Sequence, residues 1–452
     1  MDSHTMAYVG ERTGTSYKLN KVDLDEPTEK ISQDIGGNVA VITASTDGST
    51  IGLIQAVEHG YEAFAGAYTK IYDADSLELL ETFPLAPPAA DGRIVEPLHH
   101  RDPSLSLTDK YAVVLTEDDG YFASGGAQQY LSVYDIAGDK EAVHVNAFLD
   151  GTAGARGGAN PALGVGTLMG AVVHGDYIIV GGNSTTSATA VLKIDATGSA
   201  LTVSNVTASG HTDIAANHWF KNNGTYVLES KSNGKVQVWK WNGANAPTVV
   251  GQVDVYGTTG SIQALCFDPE DPKIAYFYQK AAATGSAANL GSVYRVDLTN
   301  PATKTKVFTF AKWVFSISGR NQPATWYEAS IPSGIWTIEK QKAGNDDYYV
   351  LSGSYSYGSP ATTVGAVFTI KNPTTGDVFG GTYTAASGTT AASGTVDNTG
   401  KVSVETFTSP WGTAVRTLKT FKSSTGDVYF AAKNYTASGA ASQYKLVLKQ
   451  MN

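Results

Sequence analysis

The sequence predicts an all-β fold and, within that class, a β-propeller of four-stranded antiparallel blades. Pairs of apolar runs recur along the chain at intervals of about 50 to 80 residues. Radial repetition of such hairpins is typical of a propeller. Long helical periodicity is absent, and the 48 glycines among 452 residues suit many tight turns between short strands.

Eight hairpins can be read, clearest in the segments YLSVYD, AVLKID, VQVWKWN and SVYRVD. In the second and third hairpins the first runs are residues 61–66 and 121–126. Because aromatic and polar residues alternate in the hairpins, we expect them to be the outer strands of the blades. Apolar segments such as TIGLIQAV and YAVVLTED are expected to be inner strands. The hairpins end in turn residues, at Asp23, Asp73, Asp135, Asp195, Asn242, Asp297, Lys371 and Lys449.

The hairpin count favours eight blades, with seven as the alternative, because the chain opens directly on the first hairpin. Ring closure would then join the N- and C-terminal strands, since an open sheet edge invites aggregation. The last two intervals exceed the size of one blade and predict insertions, and the segment 381–402 is expected to form strands with wide turns. We expect residues 1–6 to be left from expression and 7–452 to form one domain. A native signal segment or lipid anchor would have preceded them.

The surface chemistry excludes several classes of partner. Charged residues make up 16% of the chain, and the formal net charge is −10. Nucleic acids and anionic membranes are bound by basic patches, so neither is an expected partner. No apolar run reaches the ~18 residues of a transmembrane segment. No spacing indicates a cofactor or a metal site.

Three loop segments concentrate residues able to do chemistry. The first, EPLHHRDPSLS, contains His99, His100 and Arg101, which suit a metal site, acid–base work or polar contacts to a sugar, although adjacent histidines on a strand rarely bind one metal. Solvated loop residues are the alternative. The second, SGHTDIAANHWF, contains His211, His218 and Trp219. A histidine beside an indole offers a hydrogen-bonding ring next to a stacking platform, although the Trp could equally fill a gap between blades.

The third segment, SISGRNQPATWYEASIPSGIW, lies in the first enlarged interval. It contains Arg320, Asn321, Trp326, Tyr327 and Glu328. Sugars present C–H faces that stack on aromatic rings, and their hydroxyls need amide, carboxylate or guanidinium partners. This composition therefore predicts a carbohydrate site, with an ordinary pair of inner strands as the alternative. The same segment ends at Trp336, and SPWGTAVR near the last hairpin contains Trp411 and Arg416.

The hairpin repeats, the charge-poor surface and the opening AYVGERTGTSYKLNKVDL resemble uncharacterised secreted or surface propeller proteins of Bacteroidota. The resemblance extends over the whole chain as a pattern, and many such proteins are lipoproteins encoded in loci that handle glycans. It implies a secreted or outer-membrane location and binding of a glycan or of an outer-membrane protein. It transfers no catalytic residue.

Three functions remain open at this stage. A non-catalytic carbohydrate-binding propeller is favoured. A polysaccharide lyase or glycoside hydrolase on the same scaffold would use the histidines as bases, with Arg101 or Arg320 neutralising a uronate carboxylate. A protein-interaction scaffold is the third.

Overall fold

The computed structural model describes most of the chain. The residues outside its description are 1–5, 14–15, 27, 46, 57–67, 85–94, 98–103, 119–127, 149–159, 183–188, 208–215, 232–233, 255–261, 281–290, 311–312, 318–324, 330–333, 358–361, 380–381, 385–392, 396–399, 408–414, 424, 436–443 and 451–452. Within the described ranges, no helix is long and apolar enough to cross a membrane.

The chain divides after Gly251 into two compact units, an N-terminal unit from Met6 and a C-terminal unit from Gln252. Every described element is a strand, which confirms the all-β class. Antiparallel meanders of three to five strands follow one another along the chain, as successive propeller blades do. Blade number, ring closure and the single domain stay predictions.

The N-terminal unit contains five antiparallel sheets in chain order. Sheet 1 comprises β1 (Met6–Thr13), β2 (Ser16–Asp23) and β3 (Lys30–Asp34). Sheet 2 comprises β4 (Asn38–Ala44), β5 (Thr50–Ala56), β6 (Tyr68–Asp73) and β7 (Leu79–Pro84). Sheet 3 comprises β8 (Val95–Pro97), β9 (Leu105–Leu107), β10 (Tyr111–Asp118), β11 (Gln129–Asp135) and β12 (Val143–Asn146). Sheet 4 comprises β13 (Leu168–His174), β14 (Tyr177–Gly182), β15 (Thr189–Asp195) and β16 (Thr202–Asn205). Sheet 5 comprises β17 (Ala216–Asn222), β18 (Tyr226–Lys231), β19 (Lys235–Asn242) and β20 (Asn245–Asp254).

The C-terminal unit contains three further sheets and two separate hairpins. Sheet 6 comprises β21 (Ile262–Phe267), β22 (Ile274–Lys280), β23 (Gly291–Asp297) and β24 (Lys304–Phe310). Sheet 7 comprises β27 (Gly334–Ala343), β28 (Asp346–Tyr357), β29 (Thr362–Lys371) and β33 (Val402–Phe407). Sheet 8 comprises β34 (Val415–Lys422), β35 (Val428–Tyr435) and β36 (Tyr444–Gln450). The hairpins are β25 (Trp313–Ile317) with β26 (Thr325–Ala329), and β31 (Thr382–Thr384) with β32 (Ser393–Thr395).

The two enlarged intervals do contain insertions, as predicted. The β25–β26 hairpin precedes sheet 7, and β30 (Val378–Phe379) with the β31–β32 hairpin lies between β29 and β33. β30 pairs in parallel with β24 and so adds a fifth strand to sheet 6. The strands predicted within 381–402 are also present.

The hairpins of sheets 4 to 7, from β14–β15 to β28–β29, are middle strands, and for them the prediction of outer strands is wrong. The first and last hairpins, β1–β2 and β35–β36, each include an edge strand. In sheet 4, β13 and β14 are almost wholly buried, whereas the fourth strand, β16, is mostly exposed. Both faces of the middle strands pack against neighbouring sheets, as sheets 3 and 4 do through Leu115, Val133, Val173 and Ile178. Large aromatic residues suit such positions because they bury the most apolar area.

Two of the predicted strand pairs are also wrong. The partner of β6 is β5, and the partner of β11 is β10, the strand that contains YAVVLTE. The runs 61–66 and 121–126 lie outside the described residues. Both contain Tyr, Phe and Gly, a composition typical of a strand followed by a turn.

Candidate functional site

The two ends of the sheets differ in how they are built. We call the end where the second strand leads to the third the bulge end, and the opposite end the turn end. At the turn end, local hydrogen bonds close the connections. The Asp73 carboxylate accepts from the backbone N–H and the hydroxyl of Ser76, and Asp297 does the same for Thr299. These are Asx turns, so the predicted turn residues have a local structural role.

At the bulge end, the first strand of each of sheets 2 to 8 is interrupted. In sheet 4, Leu168 pairs with Gly182 and Gly170 with Gly181, so Met169 is an extra residue. In sheet 2 the extra residue is Ala40. A β-bulge of this kind re-aims side chains, and bulges are over-represented beside active sites. Interruptions that recur near the start of the first strand therefore mark this end as the candidate functional site.

Sheets 3 and 5 carry the longest interruptions. In sheet 3, β8 and β9 both pair with β10: Pro97 pairs with Thr116 and Leu105 with Val114, so only Leu115 separates the two pairs on β10. In sheet 5, residues 217–219 stand against Ser230 alone. β13 contacts both β9 and β17, so these two interruptions flank the bulge of sheet 4.

The C-terminal unit repeats the feature with one extra residue in each sheet. Ile262 pairs with Gln279 and Ala264 with Tyr278; Ile335 pairs with Gly353 and Thr337 with Ser352; Val415 pairs with Asn434 and Thr417 with Lys433. The extra residues are therefore Gln263, Trp336 and Arg416. An amide, an indole and a guanidinium thus occupy equivalent positions in consecutive sheets.

The residues singled out from the sequence relate to this end in different ways. His218 and Trp219 lie in the β17 interruption, placed by backbone register. His99, His100 and Arg101 belong to the segment 98–104 but, like His211, Arg320 and Asn321, lie outside the described residues. Trp326, Tyr327 and Glu328 lie in β26, where they pair with Ser316, Phe315 and Val314. β26 contacts β28, β31 and β32.

A buried ion pair lies directly beneath the interruption of sheet 5. The Lys231 ammonium is 2.6 Å from Glu229 Oε1, and both side chains have no exposed surface. Thr189 of sheet 4 donates to Glu229 Oε1 at 2.5 Å, and Trp239 Nε1 donates to Oε2 at 2.9 Å. Lys231 also donates to the Thr189 hydroxyl at 2.5 Å. This network joins sheets 4 and 5 at the register position where Ala216 and Phe220 bracket the bulge.

Buried amides make similar connections between other sheets of the N-terminal unit. Gln129 Oε1 accepts from the backbone N–H of Leu168 at 2.7 Å, joining sheets 3 and 4. Gln55 Nε2 donates to the carbonyls of Ile35 at 2.9 Å and Gly37 at 3.1 Å, which fixes the entry to sheet 2. Gln55, Gln129 and the Glu229–Lys231 pair therefore hold the bulge end through buried hydrogen bonds, a rigid support for a binding surface.

Another polar cluster lies at the turn end of sheets 6 and 7. Lys340 is 3.1 Å from Asp268 and 3.0 Å from Asp347, and the Tyr276 hydroxyl donates to Asp268 at 3.0 Å. Burial opposes the charge of Lys340, but the hydrogen bond to Asp347 and the charge of Asp268 outweigh it and raise the Lys340 pKa. Burial, and then the neighbouring Tyr349, raise the pKa of Tyr276. These groups hold two sheets together.

Sequence reasoning identified part of this arrangement. It singled out His218, Trp219, Trp336 and Arg416, but missed Gln263 and the network of Glu229, Lys231 and Thr189. Glu229 and Lys231 follow the apolar run YVL in YVLESK and are separated by Ser230, a pattern that would equally suit a strand that ends in solvent. No signal in the sequence distinguishes them from surface charges. Among the described residues, no group of three metal-binding side chains occurs.

Comparisons with known proteins give only distant likenesses. No protein-family model matches the chain, and no curated protein matches it. Among solved structures, the chain is similar to the dihydro-heme d1 dehydrogenase NirN at 12% identity and TM-score 0.41, over 98% of this chain and 74% of that one. A europium-containing methanol dehydrogenase matches at 11% identity and TM-score 0.41, over 96% and 81%. AztD of Citrobacter koseri matches at 12% identity and TM-score 0.34, over 78% and 92%. Likenesses at this level carry no conclusion about activity.

Proposed function

We propose that this protein is a non-catalytic, propeller-type binding protein that takes up carbohydrate at the bulge end of its sheets. The observation that carries the proposal is the pair of long interruptions in the N-terminal unit. Both interruptions lie in first strands that flank β13. The first separates β8 from β9, around the stretch of sequence that contains the predicted His99, His100 and Arg101, and the second contains His218 and Trp219. An indole offers a face for a sugar ring, and imidazole and guanidinium groups offer hydrogen bonds to its hydroxyls.

The support beneath the interruptions favours binding to a preformed surface. Thr189, Glu229 and Lys231 are hydrogen-bonded to one another, and Glu229 also accepts from Trp239, so this buried network serves as a support. A rigid base lowers the entropy cost of ordering side chains on binding. In the C-terminal unit, the proposal includes a second group of sugar contacts on β26, formed by Trp326, Tyr327 and Glu328.

A secreted or outer-membrane location is part of the proposal. It is supported by the low content of charged residues and by the pattern shared with Bacteroidota surface propellers. Cell fractionation and surface proteolysis of the native organism would test it. Recovery of the protein in the cytoplasmic fraction would contradict it.

The binding proposal is tested with a glycan array followed by titration calorimetry of each polysaccharide that binds. We expect Trp219→Ala and His218→Ala to weaken binding at least tenfold and Trp326→Ala to weaken it in the C-terminal unit. His174→Ala is the matched control, because His174 stacks on Trp241 at the turn end of the same sheets, with ring centroids 5.3 Å apart.

Three outcomes would count against the proposal. Absence of binding to every glycan would remove it. Equal affinities for the wild type and the variants at Trp219, His218 and Trp326 would remove the site. An increase in the ultraviolet absorbance of an unsaturated product, on incubation with uronic polysaccharides, would replace binding by lyase activity that uses the same histidines.

A further inference from the structure

We infer that the C-terminal unit has its own binding site for an acidic sugar, formed where the bulges of sheets 6, 7 and 8 bring Gln263, Trp336 and Arg416 together. The inference rests on the proposed carbohydrate function but concerns a different unit and different residues. It also specifies the charge of the ligand.

The strand that contains Trp336 is the neighbour of both strands that contain the other two residues. β27 contacts both β21 and β34, with Cα atoms within 8 Å of each other. The three extra residues lie near the start of their strands, after the first register pair in sheets 6 and 8 and after the second in sheet 7. One compact ligand can therefore reach residues from all three sheets.

Neighbouring sheets of this unit lie side by side in the same orientation. Lys419 and Glu339 form an ion pair at 3.2 Å, and each stands three residues beyond its bulge, at Arg416 and Trp336 respectively. At the turn end, Lys342 is 3.3 Å from Glu270, which aligns sheets 6 and 7 in the same sense. The bulges therefore lie at one end of the C-terminal unit.

The chemistry of the three residue types favours a sugar that carries a carboxylate. A guanidinium presents N–H groups in a fixed fork that matches a carboxylate bidentately, which a point charge such as an ammonium does not. An indole stacks on the C–H face of a pyranose, and a primary amide both donates and accepts hydrogen bonds with hydroxyls. Arg416 is the single cation among the three bulge residues, in a chain of net charge −10. A uronic acid residue is the sugar that uses all three groups.

The test compares acidic polysaccharides with their neutral forms. Polygalacturonate and alginate, and the carboxyl-reduced form of each, are titrated into the full-length protein by calorimetry. We expect the wild type to prefer an acidic form at least tenfold and to lose this preference as ionic strength rises. Arg416→Gln should remove the preference and keep the weaker binding of the neutral form, and Arg416→Lys should keep part of it. Trp336→Ala should weaken both forms.

Arg295→Gln is the control, because Arg295 is an exposed arginine of the same unit and lies on the third strand of sheet 6. Thermal unfolding midpoints verify that each variant is folded. If Arg416→Gln does not fold, Arg416→Lys takes its place as the test variant. Equal affinity for acidic and reduced forms overturns the inference and leaves the proposed function standing. Loss of all binding in Trp219→Ala also overturns it, because the site in the C-terminal unit would then be absent. Failure to bind any glycan, acidic or neutral, overturns both.

Discussion

Replacing Lys231 by Met should destabilise the N-terminal unit by about 3–5 kcal/mol, the usual cost of breaking a fully buried ion pair. The burial of both partners explains the size of this loss of stability. Lys231 and Glu229 have no exposed surface, so the remaining carboxylate would stay buried without its counter-charge. It would keep hydrogen bonds from Thr189 and Trp239, which limit the loss but do not supply a charge. A loss of this size is a large part of the ~5–15 kcal/mol by which a domain is stable.

The double variant gives the sharper result. In Glu229→Gln combined with Lys231→Met neither charge remains, and the Gln carbonyl can still accept from Thr189 or Trp239. We therefore expect the double variant to be less destabilised than the sum of the two single variants, with a coupling of about 1–3 kcal/mol.

Urea unfolding followed by tryptophan fluorescence measures these losses, because Trp239 belongs to the network. Lys193→Met, a change at an exposed lysine on β15, should stay within about 0.5 kcal/mol of the wild type. A loss below about 1 kcal/mol in Lys231→Met, or strict additivity in the double variant, would refute the reasoning.

Two further predictions concern the C-terminal unit. The hydrogen bond from Lys401, followed by that from the Thr374 backbone, lowers the pKa of Asp377 from 3.8 to about 2. Its contribution to stability is therefore present above about pH 4 and is lost as the pH falls through about 2, so urea midpoints of wild type and Asp377→Asn should converge over that range and differ above it. Gly291→Ala should destabilise the unit by about 1–3 kcal/mol, because a Cβ there would lie 1.8 Å from the buried Tyr278 hydroxyl. Gly198→Ala in the N-terminal unit is the control. The nearest atom to an added Cβ there is 3.6 Å away, so the thermal midpoint of the protein should be unchanged.

The sequence predicted the strands better than their places in the sheets. Six of the eight hairpins, such as Tyr177–Gly182 with residues 190–195, pair as predicted. The middle position of these strands was missed because alternation of aromatic and polar residues suits both a wet outer strand and a strand that buries polar groups between sheets. Ser132 and Gln237 are such polar residues, and both are buried.

The candidate site was predictable in composition but not in geometry. Trp336 and Arg416 stand out by residue type, yet their common register position follows only from strand pairing. A bulge depends on which residues face each other across two strands, and that partner is set by tertiary packing. Gln263 and Met169 carry no local signal at all, since an apolar strand reads the same with or without an extra residue.

The parallel strand β30 has a consequence for how the C-terminal unit unfolds. Its residues belong in sequence to sheet 7, between β29 and β33, but Val378 and Phe379 pair with Thr309 and Phe310 of sheet 6. Phe379 is 1% exposed and packs in one core with Phe308 and Phe368. Unfolding of sheet 7 is therefore expected to remove strand β30 and the Phe379 side chain from sheet 6. Repeat architectures often lose their units one at a time from an end; here we expect two neighbouring sheets to exchange their amide protons as a single cooperative block.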